Sequence, residues 1–375
     1  MALRHLLLLL IHLSILTVHS SSAASCTPSD RSALLSFRSA LNEQIHGVFS
    51  SWTGPDCCSG WYGVSCDPTL GRVTGISLRG ETEDPLIAAS GRPGLMSGRL
   101  SPDLCRLDRL STLTVADWKQ VSGPIPSCIT SLSDLQILDL VGNQISGQIP
   151  SSIGNLRRLT VLNLADNQIS GQIPPSIVNL AGLMHLNLGN NRISGEIPTA
   201  FGNLKMLSRA LLGKNQISGQ IPGSVSKLAR LADLDLSSNR MSGQVPGYLG
   251  QMPVLSSLYL DNNGFSGRIP DSLMKSPGLN ILNLSTNGLD GPVPDVFGPR
   301  TYFTLLDLSN NRFNGAVPRT LTSAAYVGHL DLSRNHLCGQ IPAGTPFDHF
   351  EASSFESNDC LCGWPLPTKC RGPSD

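Results

Sequence analysis

The sequence predicts an α/β repeat fold: a right-handed solenoid of short stacked coils, with a curved parallel sheet on its concave face and a separate cap at each end. Three observations predict it. Asparagine recurs at a constant step of 24 residues, as Asn143, Asn167, Asn191, Asn215, Asn239, Asn263, Asn287, Asn311 and Asn335. A glycine follows each by four residues and a proline by seven, from Gly147 and Pro150 to Gly339 and Pro342. Upstream of each lies an L-x-x-L-x-L pattern, as in Leu135, Leu138 and Leu140 before Asn143.

Each element has a physical reason. Side chains alternate along a strand, so the two leucines of L-x-L share one face and point inward, while the residue between them faces solvent. The leucine three places earlier joins the same core. Asparagine carries both a donor and an acceptor, so it can satisfy backbone groups of its own loop and of the next coil. The glycine permits a tight path, and Ile-Pro fixes φ and turns the chain across the convex side. One coil cannot bury its apolar face alone; stacking supplies the core. About ten such coils, stacked at ~4.8 Å, make an arc on the order of 50 Å long. This is the leucine-rich-repeat architecture.

The pattern degrades toward the N-terminus. One more turn upstream supplies Gly123 and Pro126, but the ladder position after Leu110, Leu113 and Val115 holds Trp118 or Lys119. Val73, Ile76 and Leu78 make a still earlier coil, followed by an insertion from about Arg79 to Met96. In the Asn215 coil Ala210 replaces the middle leucine and Leu211 takes the outward slot. The expected organisation is an export signal over 1–24, an N-terminal cap over 25–70 and irregular first repeats over 71–121. Regular repeats follow over 122–342, and a C-terminal cap over 343–375.

The signal rests on polar Arg4 and His5, the apolar run Leu6 to Leu16, and small residues at Ser22 and Ala24. No later run reaches 18 consecutive apolar residues, so a soluble exported chain without a membrane anchor is expected. Ten cysteines, an even number, suit an oxidising compartment. Formal net charge is zero and only 14% of residues are charged, which argues against a nucleic-acid partner. In the N-terminal cap, Ser29-Asp30 reads as a helix N-cap, with Leu34, Leu35, Phe37 and Leu41 on one helical face.

The repeat and the cap residues Cys57-Cys58-Ser-Gly-Trp61-Tyr-Gly-Val-Ser-Cys66 resemble the plant extracellular leucine-rich-repeat class. That class includes receptor-like kinases, receptor-like proteins and polygalacturonase-inhibiting proteins. The segments 71–81, 116–119, 204–208 and 346–349, with the Cys360-Leu-Cys362-Gly end, are similar to plant proteins labelled DNA-damage-repair/toleration. Resemblance to the inhibitor class implies the cap pairs Cys26–Cys57, Cys58–Cys66, Cys338–Cys360 and Cys362–Cys370. Cys105 and Cys128 sit at nearby points of adjacent coils, where a fifth bridge is geometrically open. Zinc is disfavoured: Cys360 and Cys362 are too close in sequence for the usual spacing, and no matching histidine pair exists.

The outward slot between strand leucines runs Thr114, Asp139, Asn163, Asn187, Leu211, Asp235, Tyr259, Asn283, Asp307 and Asp331. Asp233 shares a face with Asp235, and His329 with Asp331. The ends of this row are acidic, and the middle is amide and apolar. An acidic stripe favours a basic partner, whereas aspartate in L-D-L-S is also a plain soluble filler. The Leu211–Tyr259 neighbourhood is the better anchor for a partner, because aromatic residues dominate interface energy. Asn283-Leu-Ser285 is the sole glycosylation sequon in the sequence.

A secreted, non-catalytic recognition protein of the apoplast or cell wall is therefore expected, with no cofactor. Its partner would be a secreted enzyme, a receptor ectodomain or a wall polysaccharide. Inhibition of a cell-wall polygalacturonase is one version implied by the resemblance. The family label offers a DNA-damage or nucleotide-binding alternative. Against it, Gly213-Lys214 lacks the upstream glycine of a phosphate loop, and no basic patch with interleaved aromatics occurs. His329 with Asp331, and His185 near Asn187, carry no catalytic motif with them.

Overall fold

The computed structural model describes residues 25–370 except Thr82. The expected export signal lies outside the described residues. Two sheets run the length of the solenoid. The concave one has 12 strands. It opens with Val64–Cys66 antiparallel to Val73–Arg79, then continues in parallel from Thr112–Ala116 to Leu330–Asp331. Its strands stack in step: Leu138 pairs Leu162, which pairs Leu186, which pairs Ala210. Among the described residues no helix is long and apolar enough to cross a membrane.

The second sheet, on the lateral side, has 13 strands. Its regular members are the segments just past the ladder asparagine, such as Gln144–Gln148 and Gln168–Gln172. The sequence pattern predicts only a turn over this stretch; the structure makes it a strand. The glycine in it takes a left-handed φ, 78° at Gly147, which ends the strand and starts the crossing to the convex side. There, short 3-10 turns such as Pro175–Asn179 close most coils. Both sheets begin against the N-terminal cap: Leu41–Asn42 lies antiparallel to Met96–Arg99. The cap strands therefore cover edges that would otherwise offer unpaired backbone groups.

The core is the inward leucine column. Leu138, Leu162, Leu212, Leu236 and Leu260 are fully buried, each contributing roughly 1.5–3 kcal/mol. Beside it runs the asparagine ladder. Asn239 Nδ2 donates to Leu212 O of the preceding coil at 3.1 Å, and to its own loop at Leu236 O and Ser237 O, at 3.1 and 3.0 Å. Its Oδ1 accepts Ile217 N–H, also of the preceding coil, at 2.9 Å. The residue before it, Ser238, is held at φ 52°. One side chain thus satisfies four backbone groups in two coils.

The ladder runs further than the asparagine series. Trp118 is fully buried and its Nε1–H donates to Leu78 O at 3.1 Å. That is the donor role of Asn143, whose Nδ2 reaches Val115 O one coil later. Indole offers no acceptor in return, and the coil between them has 25 residues instead of 24. The N–H two places past Trp118, on Gln120, bonds Trp118 O instead. Asn143 Oδ1 is left buried without a partner. At the other end Asn358, 23 residues after Asn335, takes the same post. Its Nδ2 donates to Leu332 O at 3.0 Å and its Oδ1 accepts Leu337 N–H at 2.9 Å.

In the N-terminal cap, α1 spans Pro28–Ser39. The expected N-cap at Ser29-Asp30 is corrected: Thr27 caps the helix, its hydroxyl accepting Asp30 N–H, and Pro28 begins it. Asp30 is fully buried, where it accepts Val73 N–H at 2.8 Å and pairs with Arg72 Nε at 2.9 Å. It ties the helix to the first coil. Leu34 and Phe37 fill the face below, and Trp52 stacks on Trp61 at 5.3 Å.

Five disulfides are formed: Cys26–Cys57, Cys58–Cys66, Cys105–Cys128, Cys338–Cys360 and Cys362–Cys370. The sulfurs of Cys26, Cys57 and Cys58 lie close together, but all three are consumed in these bonds. Cys338–Cys360 ties the last two strands of the lateral sheet.

Candidate functional site

The strand ends of the concave sheet decide what it shows to a partner. Each aspartate and asparagine in the outward slot turns one oxygen back onto its own chain. Asp235 Oδ1 accepts Ser237 N–H, Asp307 Oδ1 accepts Ser309 N–H and Asp331 Oδ1 accepts Ser333 N–H, each at 2.9 Å. Asn163 and Asn187 do the same toward Ala165 and Gly189, at 3.4 and 3.1 Å. Such turns end the strand by offering the backbone a local partner. The aspartate of L-D-L-S therefore has a structural task, and only its second oxygen faces outward.

Two expected surface positions are corrected. Thr114 is buried, and Asp139 is 6% exposed. The Arg79 guanidinium, reaching from two coils back, lies on Asp139 with Nη2 at 2.8 Å from Oδ2. The acidic upper end is thus neutralised and covered. Asp233 is likewise no free charge, since Arg209 Nε sits 2.9 Å from its Oδ2. The remaining outward residues, from Asn163 to Asp331, are half-buried and open to solvent, and His329 is exposed.

Leu211 and Tyr259 do not touch as neighbours: Asp235 stands on the strand between them. Around Tyr259 the acidity is concentrated. Burial, then Asp235, Asp233 and Asp261, pushes the Tyr259 hydroxyl above its ordinary range. Asp261 was missed by the sequence reading, which followed only the slot between leucines. It lies two residues past that slot. Burial, reinforced by Asp235 and Asp307, pushes its carboxyl up to about 6. Asn283 Oδ1 accepts both Ser285 N–H and Ser285 Oγ–H, at 3.0 and 2.8 Å, so the sequon is folded into its own turn.

Toward the N-terminal half lies a shallow hollow of about 170 Å³, lined by Val161, Asn163, His185, Asn187, Arg209 and Leu211. At the sheet margin, Tyr302 and Tyr326 stack with centroids 4.9 Å apart and remain 45% and 46% exposed. Aromatic residues 24 apart give that signal, which a search centred on leucines passes over.

A curved sheet with open outward side chains, a continuous polar ladder and disulfide-bonded caps define a repeat scaffold, and the chain belongs to the leucine-rich-repeat family. The leucine-rich repeat region model matches residues 96–289 and the leucine rich repeat N-terminal domain model residues 27–67. The chain is 53% identical over 120 residues to the "DNA damage-repair/toleration protein DRT100" of Arabidopsis thaliana, 32% of each chain. It is 31% identical over 120 residues to "Polygalacturonase inhibitor 1" of Oryza sativa subsp. japonica, 32% of this chain and 31% of that one. These matches span about a third of each curated relative. Among solved structures, a plant ice-binding protein aligns over 94% of this chain and all of its own, with a TM-score of 0.68 and 28% identity.

Proposed function

We propose that this chain is an extracellular, non-catalytic binding protein whose concave sheet receives a protein partner. The observation that carries the reading is the unbroken row of outward side chains from Asn163 to Asp331, open to solvent on a sheet whose other face is core. Five disulfides fit an oxidising compartment, the apoplast or cell wall on this reading. The neutral net charge favours this over a DNA-damage or nucleotide role, whose wording belongs to the Arabidopsis relative. The inhibitor relative makes a secreted polygalacturonase one specific partner to try, ahead of a wall polysaccharide. Asn283 is half-buried on this face, with its Oδ1 bonded to Ser285. A glycan attached there would confine the partner to the coils on either side.

The test is capture from a cell-wall protein fraction by wild type and by Tyr259→Ala, alongside a polygalacturonase inhibition assay. Capture that weakens at least tenfold in the variant supports the reading. Equal capture by both proteins, or none by either, rejects it. A second reading, ice binding, is favoured by the full-length alignment with the ice-binding structure. Inhibition of ice recrystallisation by the same preparation decides it.

A further inference from the structure

We propose that the hollow between Asn163, His185, Asn187 and Arg209 is a receptor for a carboxylate of the partner protein, an acidic side chain or a chain end. This rests on the concave-face reading and names the chemistry of one contact within it. The turns at the strand ends carry the argument. Asn163 and Asn187 have their Oδ1 atoms committed to backbone N–H groups. Their Nδ2 groups, pure donors, make no hydrogen bond among the described residues, and both residues line the hollow. Arg209 spends only Nε on Asp233. Its Nη groups have no partner among the described residues, and its side chain is 53% exposed. His185 adds an imidazole on the strand between the Val161 and Arg209 strands.

Two amides and a guanidinium fork thus line one hollow of about 170 Å³ with donors. Val161 and Leu211 give it apolar flanks. A carboxylate is acceptor-only and planar, and the arginine fork matches its two oxygens. The same slots further along hold Asp235, Asp307 and Asp331, whose outward atoms are acceptors. Asn283 repeats the amide further along, between Tyr259 and Asp307, so the grouping of two adjacent amides with an arginine is what is local to these coils.

The test uses the full chain with 15N-labelled Asn and Arg, followed by NMR. The probes are acetate, acetamide, inorganic sulfate, and the peptides Ac-Gly-Asp-Gly-NH2 and Ac-Gly-Gly-Gly-OH. Acetate is expected to shift the Asn163 and Asn187 side-chain amides and Arg209 Nε–H saturably, with acetamide at least tenfold weaker. The two peptides separate a side-chain carboxylate from a chain end, and saturable binding of either supports the site. Asn187→Asp keeps the turn, as Asp235 and Asp307 do at equivalent slots, but replaces the donor by an acceptor. It should weaken acetate binding at least tenfold with the fold intact. Equal response to acetate and acetamide, unchanged binding in Asn187→Asp, or sulfate binding as tightly as acetate would each overturn the proposal. Partner capture that survives such a result leaves the concave-face reading standing.

Discussion

Replacing Asn311 removes one rung of the ladder from a buried position, 8% exposed. Its Nδ2 donates to Leu284 O, Leu308 O and Ser309 O at 2.9, 3.2 and 3.1 Å, and its Oδ1 accepts Leu289 N–H at 3.1 Å. At about 1 kcal/mol net per hydrogen bond, Asn311→Ala should cost roughly 3–4 kcal/mol, the orphaned Leu289 N–H being the largest share. A solenoid opens locally, so the readout is native-state hydrogen exchange at Leu289 and along the adjoining strands. A loss of that size speeds exchange about 100- to 1000-fold there. Coils near Asn191 should be unaffected. Asn311→Asp keeps the shape but aims carboxylate oxygens at three carbonyls. Burial should raise that carboxyl, so the variant gains stability as pH falls and it takes up a proton, and loses it as pH rises through the raised pKa. Its deficit should therefore be larger at pH 8 than at pH 5. A change of less than tenfold at Leu289 in Asn311→Ala would refute the four-bond account.

Three further outcomes are expected. Asp261 holds a proton more tightly when folded, its carboxyl rising from 3.8 to about 6, so its stabilising contribution is present at low pH and fades as pH rises across that window. The shift corresponds to ~3 kcal/mol at most, about 1–2 after allowing for partial exposure. Asp261→Asn should raise the melting temperature at pH 7.5 by about 1–3 °C and flatten its pH dependence between 4 and 6. No change at pH 7.5 would contradict this. Arg79→Ala strands Asp139, 9% exposed at the side chain, and should destabilise by about 1–3 kcal/mol. Adding Asp139→Asn should recover most of that in denaturant melts, and no recovery would argue against the pairing. Opening Cys105–Cys128, 23 residues apart, by double serine substitution should cost ~2–4 kcal/mol. Proteolysis should then begin in the first coils; a cleavage pattern like that of wild type would argue otherwise.

The repeat was legible because its core and ladder positions demand one residue type at one spacing. Leucine fills Leu138 and Leu140 for volume, and only asparagine answers both a carbonyl and an N–H across two coils. Legibility failed where another residue meets the same need by different means. Trp118 supplies the donor with an indole, and Asn358 arrives one residue early, so neither keeps the period. Asp139 carries the motif of an outward residue, yet Arg79, 60 positions earlier, covers it. Thr27 caps α1 because Pro28 sets the helix start, one step before the more obvious Ser29-Asp30. On the concave face the sequence shows which residues stand outward. Which of their atoms do so depends on the turns that end each strand.

The ladder bears on how such a chain can change in length. From Asn167 to Asn335 every rung is attached to the coil before it through the same two contacts, an accepted N–H and a donated amide proton, and none reaches past that neighbour. Excising the residues from Asn191 to Lys214 would present Asn215 to the Asn167 coil with the partners it meets now. Whole coils are therefore interchangeable parts, gained or lost by duplication and deletion without a new joint. A change of one residue has to be absorbed locally: Asn358, one residue early, keeps both contacts, whereas Asn143, one residue late after Trp118, keeps its donor bond and is left with an idle oxygen.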